Sequence, residues 1–254
     1  MHRLSGSATG RLAIGGIVTA APLVLALAGC GGASTLARGH THIASLAGKT
    51  EPAGSTLLAT LSGAVPRFAS PGGTAAGRVP GTWYGARSVL PVVATRPGWI
   101  RVRLAQRPNG STAWLPARDV KLSSTPYRIV VNLATTRLTL YRAGRKAFVT
   151  AVGVGTKSDP TPTGQYFVAF LEEPPTSAPG YGAFIMVTSA HSDTISDWEG
   201  SGDAVIGIHG PLGSGQVIGT TGARISHGCI RLQEAALLRL RVVPPGTPID
   251  IVSW

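Results

Sequence analysis

The sequence predicts a mainly β protein: a small β-barrel module followed by a larger β-sandwich or barrel-like domain with one short helix. Three observations carry this. Short apolar runs recur from about residue 56 onward, and several alternate with a period of two. Turn residues separate them, in a chain of 254 residues with 34 Gly and 19 Pro. Only Gln233 to Arg241 has the length and apolar spacing of a helix, and Pro244-Pro245 must end it. With 43% hydrophobic and 13% charged residues the chain can bury a core, which excludes wholesale disorder. Two cysteines exclude a disulfide-rich scaffold and a four-cysteine zinc site.

Residues 1–29 read as a lipoprotein signal peptide. Arg3 and Arg11 precede an uncharged stretch from Leu12 to Gly29, which ends in small residues. Pro22 and the short span argue against a retained transmembrane helix. Leu27-Ala28-Gly29-Cys30 resembles the lipobox of bacterial lipoproteins. That resemblance implies export, lipidation of Cys30 and anchoring at the outer face of the cytoplasmic membrane, beside the cell wall. Residues 30–55, rich in Gly, Ala, Ser and Thr, read as a flexible tether.

Residues 56–122 are the predicted small β-barrel. Trp99 to Leu104 places Ile100, Val102 and Leu104 on one face and Arg101 and Arg103 on the other. Arg107-Pro108-Asn109-Gly110-Ser111 reads as a hairpin turn, since Asn-Gly tolerates positive φ. The stretch from Gly98 to Val120 resembles the bacterial Src-homology-3-like barrel of wall-associated proteins. Charge is concentrated here. Residues 30–125 hold 11 basic and 2 acidic residues, a net of +9 out of +12, while residues 126–254 carry +1. In an exported protein such a face suits an anionic cell-wall polymer or lipid headgroups rather than nucleic acid. A solvated basic face without a partner is the alternative.

Residues 126–254 read as the larger domain. Strands are predicted at Arg128 to Leu133, Arg137 to Tyr141, Ala147 to Val152, Gln165 to Phe170, Ala183 to Val187, Ala204 to Ile208 and Pro248 to Val252. Residues 171–203 hold Glu172, Glu173, Asp193, Asp197, Glu199 and Asp203 with no Lys or Arg, a candidate lid or a solvated acidic loop.

Cys229 is the one cysteine besides Cys30. A free thiol in an oxidising compartment suggests that the thiol is used. Its ordinary pKa of about 8.5 leaves it protonated at neutral pH, so attack requires a base. His227, two residues upstream, and His209, at the end of a predicted strand, are the candidates. Backbone N–H groups around Gly228 and Cys229 are candidate oxyanion donors. Each residue alone has a plain structural reading, as a buried small hydrophobe or a loop brace. A zinc reading, with His209, His227 and Cys229 as ligands and His191 and Asp193 in support, competes.

His209-Gly210 and Ser226-His227-Gly228-Cys229, with sixteen residues between His209 and Ser226, resemble the signature of the L,D-transpeptidases, the YkuD-type catalytic domain. Val152-Gly153-Val154-Gly155, Thr161-Pro162-Thr163-Gly164-Gln165-Tyr166-Phe167 and Val243-Pro244-Pro245-Gly246-Thr247 support it. The resemblance implies a cysteine-dependent acyltransferase without a cofactor or metal. Cys229 would be the nucleophile and His209 the proton acceptor and donor. Ser226, His227 and Gly228 would support the loop and oxyanion hole. Arg231 stands where many members have Asn, and would bind a stem carboxylate or brace the loop. Gly210 replaces Ser in some members, so a backbone carbonyl would have to orient His209. The implied substrates are peptidoglycan stem peptides, joined between third-position diamino acids with release of D-alanine; carbapenems are implied covalent inhibitors. An L,D-carboxypeptidase uses the same pair with water as acceptor, and a non-catalytic wall-binding lipoprotein is the third reading.

Overall fold

Turn residues break the apolar runs into many short strands, and these assemble into two sheets. The computed structural model describes residues 54–219 and 221–254; the signal peptide at 1–29, Cys30 and nearly all of the tether lie outside the described residues. Strands β1 (Thr56–Thr60), β2 (Val65–Phe68), β3 (Ala75–Val79), β6 (Val89–Arg96), β7 (Trp99–Arg103), β8 (Thr112–Pro116) and β9 (Lys121–Thr125) form a curled antiparallel sheet in the order β3-β2-β8-β7-β6-β1-β9. A two-residue pair, β4 (Thr82–Trp83) and β5 (Ala86–Arg87), stands beside it. Ile100, Val102 and Leu104 turn into its core and Arg101 faces solvent, as the alternation predicts. The Asn-Gly turn closes between Pro108 and Ser111, with Gly110 at φ +82°.

The second sheet has ten strands: β10 (Tyr127–Asn132), β11 (Arg137–Arg142), β12 (Arg145–Ala151), β13 (Gly153–Gly155), β14 (Gly164–Glu172), β15 (Ile185–His191), β16 (Val205–His209), β17 (Ala223–Ser226), β18 (Ile230–Arg231) and β19 (Pro248–Val252). They run in the order β12-β11-β10-β19-β14-β15-β16-β18-β13-β17. Most pairs are antiparallel, but β10–β19, β16–β18 and β13–β17 are parallel.

The mainly β expectation holds, with two corrections. A single helical turn, α1 (Gly215–Ile218), was not expected. The predicted helix from Gln233 to Arg241 is cut to α2 (Glu234–Leu238). Beyond it the amides of Leu240 and Val243 bond three residues back, to Leu237 and Leu240, a tightened turn that runs into Pro244. Among the described residues no helix is long and apolar enough to cross a membrane.

One strand of the ten-stranded sheet serves both cores. In β14, Tyr166 and Val168 belong to the core of the ten-stranded sheet, while Phe167 and Ala169 belong to the core of the seven-stranded one. Successive side chains of a strand point to opposite faces, so β14 has no solvent face along this stretch. Polar contacts reinforce the boundary. Arg103 Nη2 donates to Gln165 Oε1 at 2.8 Å, and Arg107 forms an ion pair with Asp203 at 3.0 Å. Those two arginines therefore bond to the larger domain; Arg87, Arg96, Arg101, Arg118 and Lys121 are exposed.

Candidate active site

The site is built where β16 and β18 run parallel, with Ile208 opposite Ile230 and His209 opposite Arg231. Ile206, Ile208 and Ile230 are fully buried and anchor both strands in the core, so the residues that follow emerge at one end. Between β17 and β18 the chain turns tightly through Ser226-His227-Gly228-Cys229. Gly228 sits at φ +117°, and a Cβ there would come within 2.8 Å of Ile206 Cδ1.

Local hydrogen bonds lock this turn. Ser226 Oγ accepts from the Gly228 N–H at 3.2 Å and donates to the Cys229 carbonyl at 2.5 Å. Thr161 Oγ1 donates to the Gly228 carbonyl at 2.7 Å and accepts from the Gly155 N–H at 2.8 Å. Ser226 and Gly228 therefore brace the loop. The Gly228 N–H, a candidate oxyanion donor, thus already donates to Ser226 Oγ.

The Cys229 sulfur is half-buried and accepts a weak hydrogen bond from the Gly207 N–H at 3.4 Å. A Cβ at Gly207 would lie 3.9 Å from both Cys229 Sγ and His209 Cδ2, so thiol and imidazole converge above that glycine. His209 is 2% exposed. Its Nδ1 lies 2.8 Å from the Gly210 carbonyl oxygen. A carbonyl only accepts, so Nδ1 carries the hydrogen and Nε2 presents a lone pair. Gly210 leaves no room for a side chain: its Cβ would sit 2.9 Å from Gly182 backbone atoms.

Burial pushes the His209 pKa down from 6.5 to about 4; the Gly210 carbonyl opposes this and the Arg231 charge adds to it. Burial pushes the Cys229 thiol up, partly offset by the Gly207 amide and the Arg231 charge. The resting pair is thus a neutral thiol beside a neutral imidazole. Arg231 is half-buried, donates from Nη1 to Ser214 Oγ at 3.0 Å, and keeps a buried Nε without a partner.

Residues 126–251 match the YkuD family model, the L,D-transpeptidase catalytic domain. This module is thus similar to the YkuD-type L,D-transpeptidase catalytic domain. A putative L,D-transpeptidase YkuD from Bacillus licheniformis is 31% identical over 127 residues, 50% of this chain and 66% of that relative. The match thus spans just under two thirds of the relative's length. Among solved structures, the catalytic domain of the E. faecium L,D-transpeptidase is 26% identical, with 49% of this chain and 95% of that one covered and a TM-score of 0.35. L,D-transpeptidase 3 from Mycobacterium tuberculosis, in complex with a faropenem-derived adduct, is 17% identical, with 65% and 91% covered and a TM-score of 0.40.

The other predicted residues lie as follows. His227 is exposed, and its ring lies 5.4 Å from that of Trp198. His191 is buried at the boundary between the sheets, with Nδ1 2.8 Å from Asp203 and the Trp83 ring 6.0 Å away. It therefore does not join His209 and Cys229, and the described residues hold no group of three His, Cys, Asp or Glu side chains suited to a metal. The acidic segment is not one loop, since β15 runs through it as a buried strand. Two parts of it reach the site. Tyr181 packs its ring 4.7 Å from that of His209, and its carbonyl accepts from the Gly210 N–H at 2.7 Å. Trp198 is the second. Neither aromatic had a periodic signal in the sequence; the available hint was a large ring isolated in a Gly-, Ser- and Asp-rich stretch.

Proposed function

We propose that this chain is a cysteine-dependent L,D-transpeptidase that cross-links peptidoglycan stem peptides between third-position diamino acids. The observation that carries the reading is that the Cys229 sulfur and a buried, neutral His209 converge on Gly207, with the His209 Nδ1–H fixed on the Gly210 carbonyl. The match of residues 126–251 to the L,D-transpeptidase catalytic-domain model supports it. In this reading the sulfur attacks the carbonyl carbon of the third residue of a donor tetrapeptide as His209 Nε2 takes the thiol proton. The amide bond to D-alanine then breaks, His209 returns the proton to the leaving amine, and a thioester remains. The side-chain amine of an acceptor stem attacks that thioester, its proton passes to His209, and the sulfur departs as the thiol. One amide is exchanged for another, with no net oxidation. The lipobox-like segment and the exposed arginines of the small module support a location beside the wall polymer.

The test is mass spectrometry of muropeptide tetrapeptides incubated with the protein. A cross-linked dimer with release of D-alanine is expected, absent in Cys229→Ala and slowed about 10²–10⁴-fold in His209→Ala. A trimmed tripeptide alone would make the acceptor water. Turnover that persists in Cys229→Ala would end the reading.

A further inference from the structure

The turn between β7 and β8 belongs to the small module, yet its polar side chains are committed to the catalytic domain. Arg107 uses every nitrogen of its guanidinium there. Nε pairs with Asp203 Oδ1 at 3.0 Å, Nη1 donates to the Ser192 carbonyl at 2.8 Å, and Nη2 donates to the Ile195 carbonyl at 3.0 Å. Asn109 uses both ends of its amide. Nδ2 donates to the His191 carbonyl at 2.8 Å and to Asp193 Oδ1 at 3.1 Å, while Oδ1 accepts from the His191 N–H at 2.9 Å. All these partners lie within residues 191–203, the exit of β15 and the loop into β16. A planar fork satisfied at three points fixes orientation as well as distance, which a single ion pair does not.

The same loop carries Trp198. The Trp198 N–H donates to the Asp203 carbonyl at 2.9 Å, so the residue gripped by Arg107 also closes the turn that presents the indole. Trp198 is 39% exposed and packs at a tilt against His227, two residues from Cys229. At its other side the loop meets Asp159 through Thr194 Oγ1 at 3.4 Å, two residues before the Thr161 that holds the Gly228 carbonyl.

We propose that Arg107 and Asn109 are positioning residues of the active site: they hold the 192–203 loop, and with it Trp198, against the Ser226–Cys229 turn, so that the small module completes the cleft. This rests on the proposed reaction at Cys229. The effect is on geometry, since neither residue touches the sulfur. A displacement of about 1 Å at a reacting centre can lower turnover about 10²-fold.

The experiment compares full-length protein with Arg107→Ala, Arg107→Lys, Trp198→Ala and the Arg107→Ala/Trp198→Ala pair. Three quantities are read under conditions where thermal unfolding shows each variant folded: kcat/KM on the stem peptide, the rate of Cys229 alkylation by iodoacetamide, and hydrogen exchange of residues 192–203. Arg107→Ala is expected to lower kcat/KM at least about 10-fold. It should also change the alkylation rate several-fold and speed exchange in the loop. Arg107→Lys should stay impaired, because an ammonium cannot reproduce the fork. The double variant should be no worse than the stronger single one, as expected of residues acting through one loop. Wild-type alkylation and exchange in Arg107→Ala, full rescue by Lys, or losses that multiply in the double variant would each overturn the inference. Alkylation and exchange need no substrate, so the clamp is judged even if the chain turns over no stem peptide. Cys229-dependent turnover that ignores Arg107 would sink the clamp and leave the proposed function standing.

Discussion

His209 can act as a base because the fold keeps it uncharged. The same burial has a consequence for stability. In the unfolded chain an imidazole binds its proton near pH 6.5. In the folded chain His209 does so only near pH 4. Between those values the unfolded state binds more protons, so folding stability falls as pH drops from about 6.5 toward 4. The loss attributable to His209 is on the order of 3 kcal/mol. His209→Gln should flatten that slope in urea unfolding curves recorded from pH 7 to pH 4. An unchanged slope would mean that other groups carry the acid sensitivity. At this scale the sequence was informative about Cys229 and His209, because a signature of chemically distinctive residues survives without knowledge of packing. It named the Gly228 N–H as a candidate oxyanion donor but did not show its bond to Ser226 Oγ, which depends on which way that hydroxyl turns.

Among elements, the Ser226–Cys229 turn depends on Thr161, 67 positions before Gly228, whose hydroxyl bridges β13 to the Gly228 carbonyl. Thr161 is 3% exposed, so removing the hydroxyl strands a buried donor and a buried acceptor. Thr161→Val, with similar volume, should destabilise the domain by about 1–3 kcal/mol. It should slow Cys229 acylation by a carbapenem by more than it lowers the thermal midpoint would suggest. Acylation at the wild-type rate would show that the turn holds itself. The long strands were legible from apolar runs, but β13, β17 and β18 were not. They span two to four residues each, include Gly153 and Gly155, and derive their extended form from neighbours distant in sequence. The helix was overextended for a related reason. Leu240 is buried and keeps the apolar spacing, yet it sits in a three-residue turn rather than an α-helical one.

For the whole molecule, the sequence divided charge correctly between two modules but could not show that one strand serves both cores. The run Tyr166-Phe167-Val168-Ala169 lacks polar alternation, which signals burial on both faces but not which cores those faces meet. Phe167 is 1% exposed and packs with the small module's core. Phe167→Ala should cost about 3–5 kcal/mol. It should also lower the unfolding temperature of both modules together in a single calorimetric transition. Two separate transitions, with one unmoved, would make the modules independent.

That strand also bears on how the chain is made. The small module leaves the ribosome first, and its apolar interior is incomplete until Phe167 and Ala169 have been synthesised. Strand β14 of the larger domain thus closes a core begun more than a hundred residues earlier, from Ala59 onward. Until then the first module presents an open apolar face, and a nascent chain that stalls before residue 167 carries that face exposed.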